Sequence, residues 1–157
     1  MLEFIGRLYH LLITVASSFQ SVLLLAVRLY WGWQFMETGW GKLHRLDQVT
    51  QFFTSLGIPA AGLNAGFISG LELVGGVLLA VGLATRPVAL LFVGDMLVAY
   101  ITADRAAFFS VFSDPDKFVG AAPFAFLCAS LLILIFGPGR FSLDALAGRW
   151  FTKRTGG

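Results

Sequence analysis

Apolar positions gather in four runs along the chain. The first, Ser21–Trp40, contains Arg28; the second, Ala65–Leu83, contains Glu72; the third, Pro87–Ala103, contains Asp95; the fourth, Ala121–Phe136, carries no charge. Each is about 16–20 residues long, close to the ~20 that cross about 30 Å of hydrocarbon at 1.5 Å per residue. A segment in hydrocarbon must satisfy its own backbone polar groups, so each run is predicted to be a helix. Turn signals separate them: Leu56-Gly57-Ile58-Pro59 before the second, Gly82-Leu83-Ala84-Thr85-Arg86-Pro87 between the second and third, and Gly137-Pro138-Gly139 after the fourth.

The N-terminal stretch follows another pattern. Leu8, Leu11, Leu12, Val15 and Phe19 recur at three- and four-residue steps, while Arg7, His10, Thr14, Ser17 and Ser18 fall largely on other faces. This predicts an amphipathic helix lying on the membrane surface. A cleaved signal peptide fits less well, because the uninterrupted apolar core would be only Leu11–Ala16.

Composition agrees with a membrane chain. Of 157 residues, 57% are hydrophobic and 13% charged, with a mean hydropathy of +0.81. Soluble domains carry roughly 25% charged residues, and a domain this small cannot hide so much apolar surface from water. A soluble enzyme domain, a disordered protein and a disulfide scaffold are thereby excluded. The expected fold is an all-α integral membrane protein: an amphipathic helix over 1–20, a four-transmembrane-helix bundle over 21–137 and a basic tail over 138–157.

The net charge is +2. It is concentrated in the tail, where Arg140, Arg149, Lys153 and Arg154 stand against Asp144. A basic tail beside a hydrophobic span meets lipid headgroups, so the lipid bilayer and not nucleic acid is the expected partner. Lysine and arginine also set orientation: six fall in the N-terminal segment, the 82–87 turn and the tail, against four in the 41–64 and 104–120 loops. That bias places a multi-pass protein in the cell (inner) membrane with both termini cytoplasmic. Trp31, Trp33 and Trp40 then climb toward the outer interface. Cys128 is the single cysteine, which excludes an internal dithiol relay. The halves 21–83 and 87–136 do not match in charge or glycine placement, which weakens an inverted-repeat transporter.

Ionisable residues at membrane depth are the strongest chemical signal. Each costs about 2.5–3.5 kcal/mol on insertion scales, so they face the bundle interior and mark function or a structural pair. With the first helix entering at Ser21, Arg28 lies about 10 Å and Asp95 about 12 Å above the inner boundary. The two are level, which predicts a buried Arg28–Asp95 pair. Glu72 falls about 10 Å below the outer boundary, within reach of a long arginine or of Lys42. It is the first choice for a proton acceptor or ligand anchor. Gly75 and Gly76, three and four residues on, leave room beside its carboxyl for a substrate ring or for helix packing. Gly62, Gly66 and Gly70, with Ser69 beside them, form overlapping G-x-x-x-G steps that predict close helix approach. Trp31 and Phe35 share a face with Arg28, either as core packing or as a cation–aromatic platform for a quinone. Glu37, Lys42, His44, Arg45 and Asp47 cluster at the end of the first helix but supply too few ligands for a metal. Cys128 reads as a small apolar filler.

In order along the chain, Arg28-Leu29-Tyr30-Trp31-Gly32-Trp33-Gln34-Phe35, Gly39-Trp40-Gly41-Lys42-Leu43, Phe52-Phe53-Thr54-Ser55-Leu56-Gly57-Ile58-Pro59, Leu71-Glu72-Leu73-Val74-Gly75-Gly76 and Gly82-Leu83-Ala84-Thr85-Arg86 resemble the motifs of the DoxX family of small four-helix membrane proteins. The resemblance covers about residues 22–136. It implies a four-helix membrane bundle and an association with membrane redox systems, some handling thiosulfate and quinone, others thiol or superoxide stress. It carries over to Arg28, Gly32, Lys42, Glu72, Gly75, Gly76 and Arg86; Asp95 rests on depth alone. The chain itself shows no haem ligand pair, flavin fingerprint or cysteine cluster.

Three functions follow as expectations. The first is a redox-linked subunit that binds a quinone or a small sulfur or thiol compound through Arg28, Lys42, Glu72, Gly75, Gly76 and Asp95. Glu72 is the candidate catalytic group, the redox centre sits on a partner protein or on the quinone, and a homo-oligomer is open. The second is a non-enzymatic scaffold or helper of a partner complex. The third is a small-solute transporter. Whether the chain is an enzyme in its own right stays open.

Overall fold

The computed structural model describes the backbone of residues 2–155 and the side chains outside residues 2–5, 8, 18, 149 and 151–155. Leu8 and Ser18 of the N-terminal pattern, and Arg149, Lys153 and Arg154 of the basic tail, lie outside the described side chains.

The first helix, α1, runs unbroken over Leu2–Leu43. At 1.5 Å per residue it is about 63 Å long, twice the thickness of a bilayer's hydrocarbon. The expected N-terminal helix is therefore no separate element but the first half of α1. The cause is local: positions 7–31 hold neither glycine nor proline, so nothing breaks the helix before Gly32. Tyr9, Leu11, Leu12, Ile13, Val15 and Phe19 are all exposed on this half.

Seven further helices follow among the described residues: α2 (Leu46–Ser55), α3 (Ala61–Val81), α4 (Thr85–Thr102), the short α5 (Arg105–Phe108) and α6 (Pro115–Gly120), α7 (Ala122–Phe136) and α8 (Leu143–Thr155). Among the described residues there is no strand. Among the described residues three helices are long and apolar enough to cross a membrane: α1 over Tyr9–Leu43, α3 and α4. The fourth apolar run, α7, has 15 residues, about 22 Å of helix.

Helices α1, α3, α4 and α7 pack antiparallel in sequence order. Glycine sets the α1–α3 register. A Cβ on Gly76 would stand 2.6 Å from the Gly32 carbonyl oxygen, and one on Gly32 would stand 2.8 Å from that of Gly76. Seven residues further along α1, Gly39 lies against the Ser69 and Leu73 backbone in the same way. These contacts let two backbones approach without side chains between them. Gly66 and Gly70, expected to mediate such an approach, have nothing within 4 Å of a Cβ position, and Gly62 meets only the Thr50 methyl at 3.8 Å. The G-x-x-x-G expectation is thus corrected: Gly32 and Gly39 of α1 meet the Ser69, Leu73 and Gly76 backbone, and Gly66 and Gly70 lie to one side of that contact with open space beside them.

Aromatic rings fill the centre. Phe35 of α1 stacks on Phe92 of α4 with centroids 3.6 Å apart, and Phe126 of α7 meets both Phe35 and Trp31 edge-on at 4.9 Å. Leu79 and Ile133 complete a core with no solvent exposure. The Trp31–Phe35 stripe is therefore packing, as weighed from the sequence.

The α3–α4 turn and the segment after α7 close one end of the bundle. Gly139, in the left-handed region, packs against Leu24, and Asp144 lies against the turn. This is the Arg28 end; α2, α5 and α6 lie at the opposite, Lys42 end.

Candidate functional site

Lys42 is the last basic residue of α1, and α3 brings Glu72 opposite it. The Lys42 ammonium lies 2.6 Å from Glu72 Oε1. The Glu72 side chain is 3% exposed and that of Lys42 33%. Thr38, one turn earlier on α1, also stands beside the Glu72 carboxyl. The second carboxylate oxygen, Oε2, is buried with no hydrogen-bond partner.

Asp95 on α4 completes the cluster and interacts electrostatically with Glu72 and Lys42. Its Oδ2 is also buried without a partner. The helix lengths explain the meeting. Glu72 precedes Gly82 by ten residues and Asp95 follows Thr85 by ten, so both stand about 15 Å from the turn that joins their helices.

Glu72, Asp95 and Lys42 form the charged part of a cavity of about 490 Å³ between α2, α3 and α4, with Asn64 and Thr102 as its other polar residues. The remaining wall is apolar: Phe52 and Phe53 of α2, Phe67 and Ile68 of α3, and Leu90 and Leu91 of α4 among others. Small-molecule sites are commonly cavities of about 300–1,000 Å³ with a few placed polar groups. A second, more polar cavity of about 630 Å³ shares Lys42, Val49 and Phe52 and adds Glu37, Arg45 and Gln48. The Lys42 side chain lies between the two.

Arg28 is absent from this cluster, and the expected Arg28–Asp95 pair is corrected. The fully buried Arg28 packs on Gly82 and donates from Nη2 to the Phe141 carbonyl, while its Nε and Nη1 are unpartnered. Its opposite charge is Asp144. The depth arithmetic failed because Arg28 is level with the α3–α4 turn at Gly82 and not about 10 Å inside it.

Gly75 and Gly76 are corrected as well. Neither lines the cavity. A Cβ on Gly75 would stand 2.8 Å from the Phe92 ring, and one on Gly76 2.8 Å from Met36. The room they leave is filled by the protein itself.

Sequence reading missed the aromatic cover. Leu46, Val49, Phe53 and Leu56 recur at helical steps, and that periodicity marks α2 as a lid element. It also missed Asp144, whose carboxylate accepts from the Ala84 and Thr85 amides at 2.8 and 2.9 Å and so caps α4 from 60 residues away. Partial burial opposes ionisation of Asp144. The two amides, the Thr85 side chain and the Arg28 charge outweigh it and hold the carboxyl below its ordinary range.

Elsewhere the predicted polar residues are structural or dispersed. His44 Nδ1 lies 2.9 Å from the Trp40 carbonyl, and its ring packs on Trp40. Cys128 is half-buried in α7. Among the described residues no three His, Cys, Asp or Glu side chains gather as metal ligands.

Comparison with known proteins places this arrangement in context. The sequence profile of DoxX matches residues 23–105. The "Putative oxidoreductase CatD" of Bacillus subtilis (strain 168) is 34% identical over 122 residues, covering 76% of this chain and 83% of that protein. The "Uncharacterized membrane protein Rv3486" of Mycobacterium tuberculosis is 37% identical over 127 residues, covering 76% of this chain and 78% of that protein. The "Inner membrane protein YphA" of Escherichia coli (strain K12) is 30% identical over 133 residues, covering 80% and 90%. No solved structure matches significantly.

Proposed function

The chain belongs to the DoxX family of integral membrane proteins, and we propose that it is a redox-linked membrane subunit holding a quinone-like ring compound between α2, α3 and α4. One observation carries this reading: a cavity of about 490 Å³, mostly apolar and partly aromatic, whose charged groups are Lys42, Glu72 and Asp95. Apolar walls suit a ring and its tail, and a few buried polar groups suit its oxygens. The buried, unpartnered Glu72 Oε2 and Asp95 Oδ2 are the atoms such a ligand would satisfy, since buried polar groups are normally hydrogen-bonded. Glu72 is the proton acceptor or ligand anchor, Lys42 holds it, and Asp95 is the second contact. The electrons reside on the ring compound or on a partner protein. One relative's name, an oxidoreductase, agrees with this role. The protein sits in the cell membrane with both termini cytoplasmic, as its lysine and arginine distribution directs.

A second reading, a non-enzymatic scaffold, draws on the exposed first half of α1, which offers a partner helix an apolar surface. The two separate on ligand content. Native mass spectrometry of protein purified from its own membrane should show a retained quinone-class molecule, lost in a folded Glu72→Gln variant. Equal occupancy, or none in either protein, contradicts the first reading.

A further inference from the structure

Two cavities meet at Lys42. Three- and four-residue steps put Gln34, Glu37, Thr38 and Lys42 on one face of α1. With Arg45 and Gln48 opposite, they line the polar cavity of about 630 Å³. Glu37, Arg45 and Gln48 are exposed, so this cavity opens to water at the Lys42 end. Glu72 does not line it, but two residues beside the Glu72 carboxyl do. They are Lys42, whose ammonium is 2.6 Å from Oε1, and Thr38. In the other direction the bundle is closed. Between Glu72 and the Arg28 end lie Phe35, Leu79, Val88, Ala89 and Phe92, all apolar and buried. They fill the about 15 Å of helix that separates Glu72 from the α3–α4 turn.

We propose that Glu72 exchanges its proton with the aqueous face at the Lys42 end, by way of the polar cavity between α1 and α2, with Lys42 as the movable partition. The proposal rests on the reading of Glu72 as a proton acceptor and needs no particular ring compound. Lys42 stays an ammonium throughout. While Glu72 is a carboxylate, the ammonium holds Oε1 and closes the passage. A proton taken up by the carboxyl removes that charge attraction. The Lys42 chain, a third of it in solvent, then turns on its flexible stem toward Glu37 in the polar cavity. The O–H of the neutral carboxyl meets water from that face and gives it the proton. Glu72 is again a carboxylate, and the ammonium returns. The charged groups facing Glu72 are Lys42 of α1 and Asp95 of α4; α2 and α3 add no other charge to the shared wall. Asp95 cannot take the part of Lys42, because it does not line the polar cavity.

The test uses right-side-out and inverted membrane vesicles that hold a pH gradient, with dicyclohexylcarbodiimide as the probe. Cysteine labelling at Ser55 identifies the face at the Lys42 end. The reagent enters lipid and modifies protonated carboxyls, and fragmentation mass spectrometry counts the Glu72 adduct apart from that of Asp95. Raising the pH at the Lys42 face should cut the initial labelling rate of Glu72 about tenfold per pH unit above its titration midpoint. The same change at the Arg28 face should leave the rate unchanged. Gln48 lines the polar cavity alone, so Gln48→Trp narrows the route and should blunt the response, while thermal unfolding confirms the fold. If that variant does not fold, the two vesicle orientations decide. An undiminished response in folded Gln48→Trp overturns the polar cavity as the route. Labelling that follows the Arg28 face overturns the route and leaves Glu72 standing as a proton acceptor. Labelling that answers to neither face from about pH 5 to pH 10 overturns both.

Discussion

Lys42 and Glu72 join the end of α1 to the middle of α3, with Nζ and Oε1 2.6 Å apart. The bond spans 30 positions of sequence and pins the carboxyl at the cavity wall. Removing one partner of a buried pair leaves an uncompensated charge and costs about 3–5 kcal/mol. A third of the Lys42 side chain reaches solvent, so Lys42→Ala should cost near 3 kcal/mol, the low end of that range. Lys42→Met combined with Glu72→Leu should recover most of the loss. Chemical denaturation in detergent measures both; a double variant as unstable as the summed singles would show that the residues do not act as a pair.

The α1–α3 glycines make a contrasting pair of predictions. Gly76→Ala forces a Cβ against the Gly32 carbonyl, and overpacking of this kind costs typically 1–3 kcal/mol. Gly66→Ala and Gly70→Ala meet nothing within 4 Å. They should be neutral or stabilising by up to about 1 kcal/mol, since alanine is the better helix former. Thermal unfolding of the three variants checks the order. A destabilised Gly66→Ala or Gly70→Ala would point to a packed partner on that face of α3.

Asp144 links stability to pH. Its carboxyl is held below the ordinary carboxylate range in the folded protein. A depressed value means the unfolded state takes up its proton first as pH falls. The stabilisation is therefore complete above the unfolded value, near pH 4, and is lost as pH falls through the lower folded value. Asp144→Asn, which gives up one acceptor of the α4 cap, should lower stability by about 1 kcal/mol at pH 7. The gap to wild type should hold constant from pH 8 to pH 5 and narrow only below about pH 4. A gap that closes near neutrality would assign the effect to another group.

Orientation is open to direct labelling. With Cys128 replaced by alanine, single cysteines at Ser55 and Ser113, both exposed at the Lys42 end, should react with an impermeant reagent added outside intact cells. A cysteine at Arg140, exposed at the Arg28 end, should react only after permeabilisation. The reverse pattern would invert the protein in its membrane.

The sequence announced the helices well and their partners less well. Leu56-Gly57-Ile58-Pro59, the 82–87 turn and Gly137-Pro138-Gly139 each mark an observed helix end or start, because glycine and proline act locally. Lys42 as a partner for Glu72 was legible from reach alone. Arg28 was misplaced because hydropathy shows where an apolar run begins, not where a helix joins its neighbours; Gly82 and Phe141 set that level. Gly75 and Gly76 looked like space for a ligand, since spacing gives a face but not what covers it. Phe92 and Met36 cover them. Phe52 and Phe53 escaped notice as part of a site because an amphipathic loop helix shows its apolar face without showing what lies beneath.

The central claim is that the space bounded by Phe52, Phe67, Glu72, Leu90 and Asp95 holds a ring compound. Photo-crosslinking with an azido-quinone in nanodiscs, followed by peptide mapping, tests it most directly. The account predicts labels on α2, α3 and α4 within residues 52–71 and 90–103, displaced by excess unlabelled ligand and lost in Glu72→Gln. Labels confined to lipid-facing positions such as Leu132 and Ile135 of α7, and undiminished by competitor or by Glu72→Gln, would contradict it.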